Sequence, residues 1–149
     1  MKFIMTAAFL TMASLSFAES ITLVQDARRV DGNLTELTLN RPGRRADFDA
    51  TLHTAYIDRR AGKEVNTTES IGTHMQCDLN LESSTVNEIN CQVDQRPVDG
   101  ALVKITIVRN KSNSLYSAKV QKQHFDRANG KDVTEKNLLG SSFSLKKSK

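Results

Sequence analysis

The chain contains no tryptophan, and its aromatic residues are limited to six Phe and two Tyr in 149 residues. Two of the six, Phe3 and Phe17, lie in an N-terminal leader, so any core must be built mainly from aliphatic side chains. Nucleic-acid binding calls for aromatics interleaved with a basic stripe, and neither is present. The only prolines, Pro42 and Pro97, sit near strand ends, which excludes a proline-rich linker. Two cysteines are too few for a disulfide-dense scaffold or a four-thiolate zinc site. No segment after the leader is apolar for long enough to cross a membrane as a helix. Gly-x-Ser-x-Gly turns, glycine-rich phosphate loops, zinc-protease helix motifs and calcium loops are all missing.

The leader itself is readable. Lys2 is a short basic start, Phe3–Leu15 is almost wholly apolar, and Ser16-Phe17-Ala18 offers small residues where a signal peptidase reads. Residues 1–18 are therefore expected to be a signal peptide cleaved before Glu19, leaving a periplasmic or secreted chain. No cysteine follows the apolar run, which argues against a lipid anchor. The remaining residues 19–149 are short enough for a single domain. An oxidising compartment makes a Cys77–Cys91 disulfide the natural reading. The alternative, a metal held by His74, Cys77 and Cys91, lacks a fourth ligand at a recognisable spacing.

Within residues 19–149 the sequence repeats. At a constant offset of 68, Asp26–Cys77 and Asp94–Leu145 share fifteen of fifty-two residues without a gap. Random pairing would give about three. The matches include Val30-Asp31-Gly32 with Val98-Asp99-Gly100, and Asp58-Arg59 with Asp126-Arg127, each followed by Gly-Lys. Charge is not shared in the same way: residues 19–84 carry eight basic and eleven acidic groups, net −3, whereas residues 85–149 carry twelve and six, net +6. The surfaces of the halves have diverged.

Each copy, about residues 21–84 and 89–149, reads as a four-stranded meander. The expected strands are Ile21–Arg28, Leu34–Arg41, Phe48–Asp58 and Lys63–Leu81, matched by Ile89–Arg96, Leu102–Arg109, Tyr116–Asp126 and Lys131–Leu145. Alternation such as Phe48, Ala50, Leu52 against Asp49, Thr51, His53 marks half-buried strands. Val65–Ser70 could form at most one turn of helix. Asp31-Gly32 and Asp99-Gly100 suggest tight hairpins with positive φ, and Gly62 and Gly130 suggest the left-handed position of longer ones. Gly72 and Gly140, inside strands, suggest bulges or bends. The fold class is therefore all-β: eight antiparallel strands from two tandem repeats, with an up-and-down barrel favoured over a sandwich. Antiparallel pairing about Ser84 would bring Cys77 and Cys91 face to face, pointing inward, where the other junction has leucines.

Repetition also sorts the polar residues. Asp58 and Asp126, each beside an arginine, open hairpins in both copies and read as turn residues. His53, His74 and His124 do not align with one another and have no metal-pair spacing, so no catalytic or metal residue is assigned. The unshared feature is the loop Arg41-Pro42-Gly43-Arg44-Arg45, where Arg41, Arg44 and Arg45 could grip carboxylates or phosphates bidentately. Size, leader and strand pattern resemble lipocalin-like, avidin-like and periplasmic inhibitor barrels in architecture alone. The lipocalin Gly-x-Trp opening and the tryptophans of avidin-like pockets are absent. The leading expectation is an exported, non-catalytic protein that binds another protein or an envelope polymer, with an inhibitor of a secreted hydrolase as one concrete form. The alternatives are a carrier of a small apolar ligand and an enzyme with a site that no motif betrays. No cofactor is expected.

Overall fold

A computed structural model describes residues 19–30, 32–43, 45–79, 86–98 and 100–148. The leader, Asp31, Arg44, Ser84 and Asp99 lie outside them. Eight strands account for most of the described chain: β1 (Glu19–Asp26), β2 (Leu34–Arg41), β3 (Phe48–Asp58), β4 (Lys63–Cys77), β5 (Glu88–Asp94), β6 (Leu102–Arg109), β7 (Tyr116–Asp126) and β8 (Lys131–Ser148). Each pairs antiparallel with the next, and β8 pairs back onto β1, so the hydrogen-bonded order closes. β2, β3, β6 and β7 begin and end at the residues anticipated from the alternation.

The alternation fills one side of this sheet. Leu37 and Leu39 of β2, Ile89 and Cys91 of β5, and Val103, Ile105 and Ile107 of β6 are buried, while the residues between them reach outward. With Ile21, Leu23, Phe48, Met75, Tyr116 and Phe143 they form one connected apolar cluster. Among the described residues no polar or charged residue is buried. The small Ala50 and Ala118, both fully buried, leave room for Phe and Met side chains opposite. The single polar tip within the cluster is satisfied: the Tyr116 hydroxyl donates to the Val86 carbonyl at 2.7 Å.

The two junctions between halves occupy equivalent places. On one side Cys77 pairs with Cys91 in register and forms a disulfide with it; on the other Leu23 pairs with Leu145. Among the described residues the Cys77–Cys91 junction contains two paired positions, Gln76 with Gln92 and Cys77 with Cys91. The Asp78 N–H then donates to the Asn90 carbonyl at 3.0 Å, and β4 ends, short of the expected Leu81.

Three expectations need correction. β1 and β5 stop at Asp26 and Asp94, because Arg28–Val30 and Arg96–Val98 wind into 3-10 turns. The connections are thus not tight two-residue hairpins: Ala27 N–H reaches the Asn33 carbonyl at 2.9 Å, and Gly32 N–H reaches the Ala27 carbonyl at 2.8 Å. Gly32 and Gly100 are required by space rather than by φ, since a Cβ on either would lie 2.6 Å from Ala27 Cβ or 2.5 Å from Gln95 Cβ. Val65–Ser70 is strand throughout, in keeping with the strand expected from Lys63 onward. Gly62 and Gly130 do adopt positive φ, 64° and 66°.

Gly72 and Gly140 sit at register shifts. The β3–β4 pairing skips between Ala50–Gly72 and Thr51–Ser70, and the β7–β8 pairing skips between Ala118–Gly140 and Lys119–Leu138. A Cβ at Gly140 would come 2.6 Å from the Gln25 Oε1 atom and 2.7 Å from the ring of buried Phe143. Beyond these bulges each hairpin becomes an arm. Lys63–Ser70 pairs with β3 and Lys131–Leu138 with β7, and among the described residues no ladder joins either stretch to a strand on its other side. Both stretches are almost wholly exposed.

Candidate functional site

Strand order sets two ends. The connections 27–33, 59–62, 95–101 and 127–130 share one end with the arm tips; the connections 42–47 and 110–115 share the other with Glu19 and Ser148. The arginines Arg41 and Arg45 belong to the second end, Arg28 and Arg29 to the first.

Arg41 and Arg45 are held within the chain. Arg41 pairs with Glu19 across the β1–β2 ladder, and its guanidinium lies 5.8 Å over the Phe48 ring. Arg45 donates through Nε to Asp47 at 2.6 Å and makes a two-pronged contact with Asp49 at 2.8 and 3.2 Å. The bidentate grip anticipated for a ligand goes here to a carboxylate of β3, the strand that follows its loop. His74 completes the group: its N–H donates to Asp49 at 3.2 Å, and Nδ1 lies 3.1 Å from Asp47. Its backbone is left-handed, φ 56°, where β4 bulges opposite Asp49.

Electrostatics follow the geometry. The Arg45 bonds, backed by the His74 N–H, hold Asp49 below the usual carboxylate range. For Asp47 desolvation is the largest single influence and pushes upward, but Arg45 and His74 together outweigh it and the net direction is down. Asp49 and Asp47 together raise Arg45. The second half has Asn113, Leu115, Ser117 and Ser142 at the corresponding positions, so this cluster belongs to one half alone. It went unread in the sequence. The signal was Asp47-Phe48-Asp49, two carboxylates two apart and hence on one strand face, just after an arginine. Among the described residues no His, Cys, Asp and Glu group is arranged to hold a metal ion.

The first end carries two open grooves that correspond residue for residue. Arg28, Gly32, Asn33, Tyr56, Ile57 and Arg59 line one; Arg96, Gly100, Ala101, His124, Phe125 and Arg127 line the other. All six pairs stand at the 68-residue offset. Lys122 and Glu135 extend the second groove. Arg28 is oriented by Asp26 at 2.7 and 2.9 Å and reaches Glu64 at 3.3 Å; Arg96 is oriented by Asp94 at 2.7 and 2.8 Å. These arginine side chains, with the arginine N–H groups, bring Asp26 and Asp94 down to about 2. Ile57 and Phe125 are 53% and 54% exposed, and Tyr56 is 44% exposed. Reading β3 and β7 as plain alternation missed these positions. The available signal was that they stay apolar or ring-bearing in both copies at the strand's turn end, where alternation no longer buries them.

The remaining residues fall where turn chemistry puts them. Asp58 accepts N–H bonds from Arg60 at 3.0 Å and Ala61 at 3.3 Å; Asp126 accepts them from Ala128 at 3.0 Å and Asn129 at 3.4 Å. His53 bonds Thr68 at 3.1 Å across the first arm. Comparison with known proteins gives no match to a family model, a curated protein or a solved structure.

Proposed function

We propose that this chain is an exported, non-catalytic binding protein: a rigid up-and-down β-barrel of two tandem four-stranded repeats that engages a protein or an envelope polymer through its surface. An inhibitor of a secreted hydrolase remains one concrete form. The observation that carries the reading is the matched pair of grooves at the arm end. Each combines two arginines, a ring and an exposed apolar side chain. Folding accounts for a shared glycine or aspartate. It does not account for apolar residues kept exposed at position 57 and again at 125, when only fifteen of fifty-two aligned residues are identical. Export rests on the leader, and the Cys77–Cys91 pair is compatible with it.

The carrier alternative needs interior room, whereas the inward side chains pack into one apolar cluster. The enzyme alternative has the Arg45, Asp47, Asp49 and His74 group to offer, but each member's bonds run to the others and support a loop clasp equally well.

The experiment is affinity capture from envelope extract on immobilised residues 19–149, comparing three forms of verified fold. Wild type and R41A/R45A are expected to retain the same partner, and I57S/F125S to lose it. Loss with R41A/R45A alone would move the site to the opposite end; capture unaffected by either change would overturn the groove reading.

A further inference from the structure

We propose that the two arms pair with each other between molecules, the outer edge of β4 adding antiparallel to the outer edge of β8 in a second copy of this chain. Lys63–Ser70 and Lys131–Leu138 each offer one ladder-free side, about 26 Å long at the usual rise per residue. Such an edge carries a row of backbone donors and acceptors that another strand can satisfy. A two-stranded ribbon exposed on both faces is also marginal in water by itself, so cover on its outer side stabilises it.

Charge matches the two edges in one register. Laid antiparallel with Glu64 opposite Lys136, the β4 edge brings Glu69 opposite Lys131, one ion pair on each face of the joined sheet, and no like charges meet. Displacement by one residue sets Lys63 against Lys136 and Glu64 against Glu135, so the register is specified. Like arms can also align without like charges, since β4 against β4 sets Lys63 opposite Glu69 twice; exchanging Lys131 and Lys136 separates the two cases, because it would leave a β4–β4 contact intact. Charged residues normally protect an edge from pairing; here the two protective patterns are complementary. Because one contact uses β4 of one molecule and β8 of the next, each single contact leaves an arm unused on both molecules, and the assembly extends as a chain or closes into a ring in which every arm is paired. Glu64 already meets Arg28 of the first groove at 3.3 Å and would be shared between Arg28 and Lys136, whereas Glu69, Lys131 and Lys136 line neither groove.

Charge exchange tests it, by sedimentation velocity on the oxidised 19–149 chain over a range of concentrations. Wild type is expected to give a concentration-dependent series of oligomers that shrinks as salt is raised. E64K/E69K and K131E/K136E place like charges across the contact and are each expected to remain monomeric. Mixed in equal amounts they restore opposite charges at both contacts and are expected to regain the series. All four sites are exposed, and circular dichroism verifies each fold. A monomer at every wild-type concentration overturns the proposal. So does association that survives in either charge variant alone.

Discussion

At the scale of single residues, the glycines show how one residue type answers two demands. Gly62 meets nothing within 4 Å where a Cβ would stand, yet its φ of 64° is left-handed; Gly62→Ala is expected to cost about 1–2 kcal/mol through backbone strain. Gly140→Ala keeps an ordinary backbone but drives a methyl into Phe143 and Gln25, whose Oε1 accepts the Ser142 N–H at 3.0 Å; overpacking is expected to cost about 1–3 kcal/mol. Urea denaturation checks both, and a smaller loss at Gly140 than at an exposed control would refute the packing argument. The carboxylates give a pH signature. Asp26 and Asp94 titrate at about 2 in the folded chain, against about 3.9 when unfolded. Depressed folded values mean that their contribution is complete above about pH 4 and is lost as pH falls towards 2. The D26N/D94N variant should therefore show a flatter loss of stability over that window. Coincident acid curves for variant and wild type would remove these pairs from the account.

Among the elements, strands were far more legible than joints. Alternation located β2, β3, β6 and β7 to the residue, because one buried and one wet face write a period of two. The 3-10 turns at Arg28–Val30 and Arg96–Val98 were not legible: Asp-Gly advertises a tight turn, while the turn that forms depends on Asp26 and Asp94 reaching back to arginine side chains. Likewise Arg41 and Arg45 looked like outward hands because charge can be read from sequence and its pairing cannot. Their carboxylates come from Glu19, on the neighbouring strand, and from Asp47 and Asp49 nearby. The Cys77–Cys91 link gives an element-scale prediction. It closes a fourteen-residue separation at a junction of two paired positions. Its loss in C77A/C91A should cost about 3 kcal/mol. C77L/C91L, copying Leu23 and Leu145, should fall between that variant and wild type in thermal denaturation. Equal stability of all three would mean that the junction needs neither restraint nor packing there.

For the whole molecule, the 68-residue correspondence relates two arms, two grooves and two junctions, and among the described residues the arginine–histidine clasp and the disulfide are features of one half or one junction that the other lacks. Sequence comparison between halves anticipated the shared skeleton, yet it assigned shared residues to folding alone. Under the proposed binding role, the grooves are a feature present twice that sorting by repetition passes over. The pairing of β1 with β8 sets Ser20 opposite Ser148. A short linker could join those strands, and the chain could be opened instead at the Arg59–Gly62 turn, leaving every ladder intact. Such a circular permutant should fold to the same closed sheet, for the order in which a ring is threaded is a matter of genetics rather than of architecture.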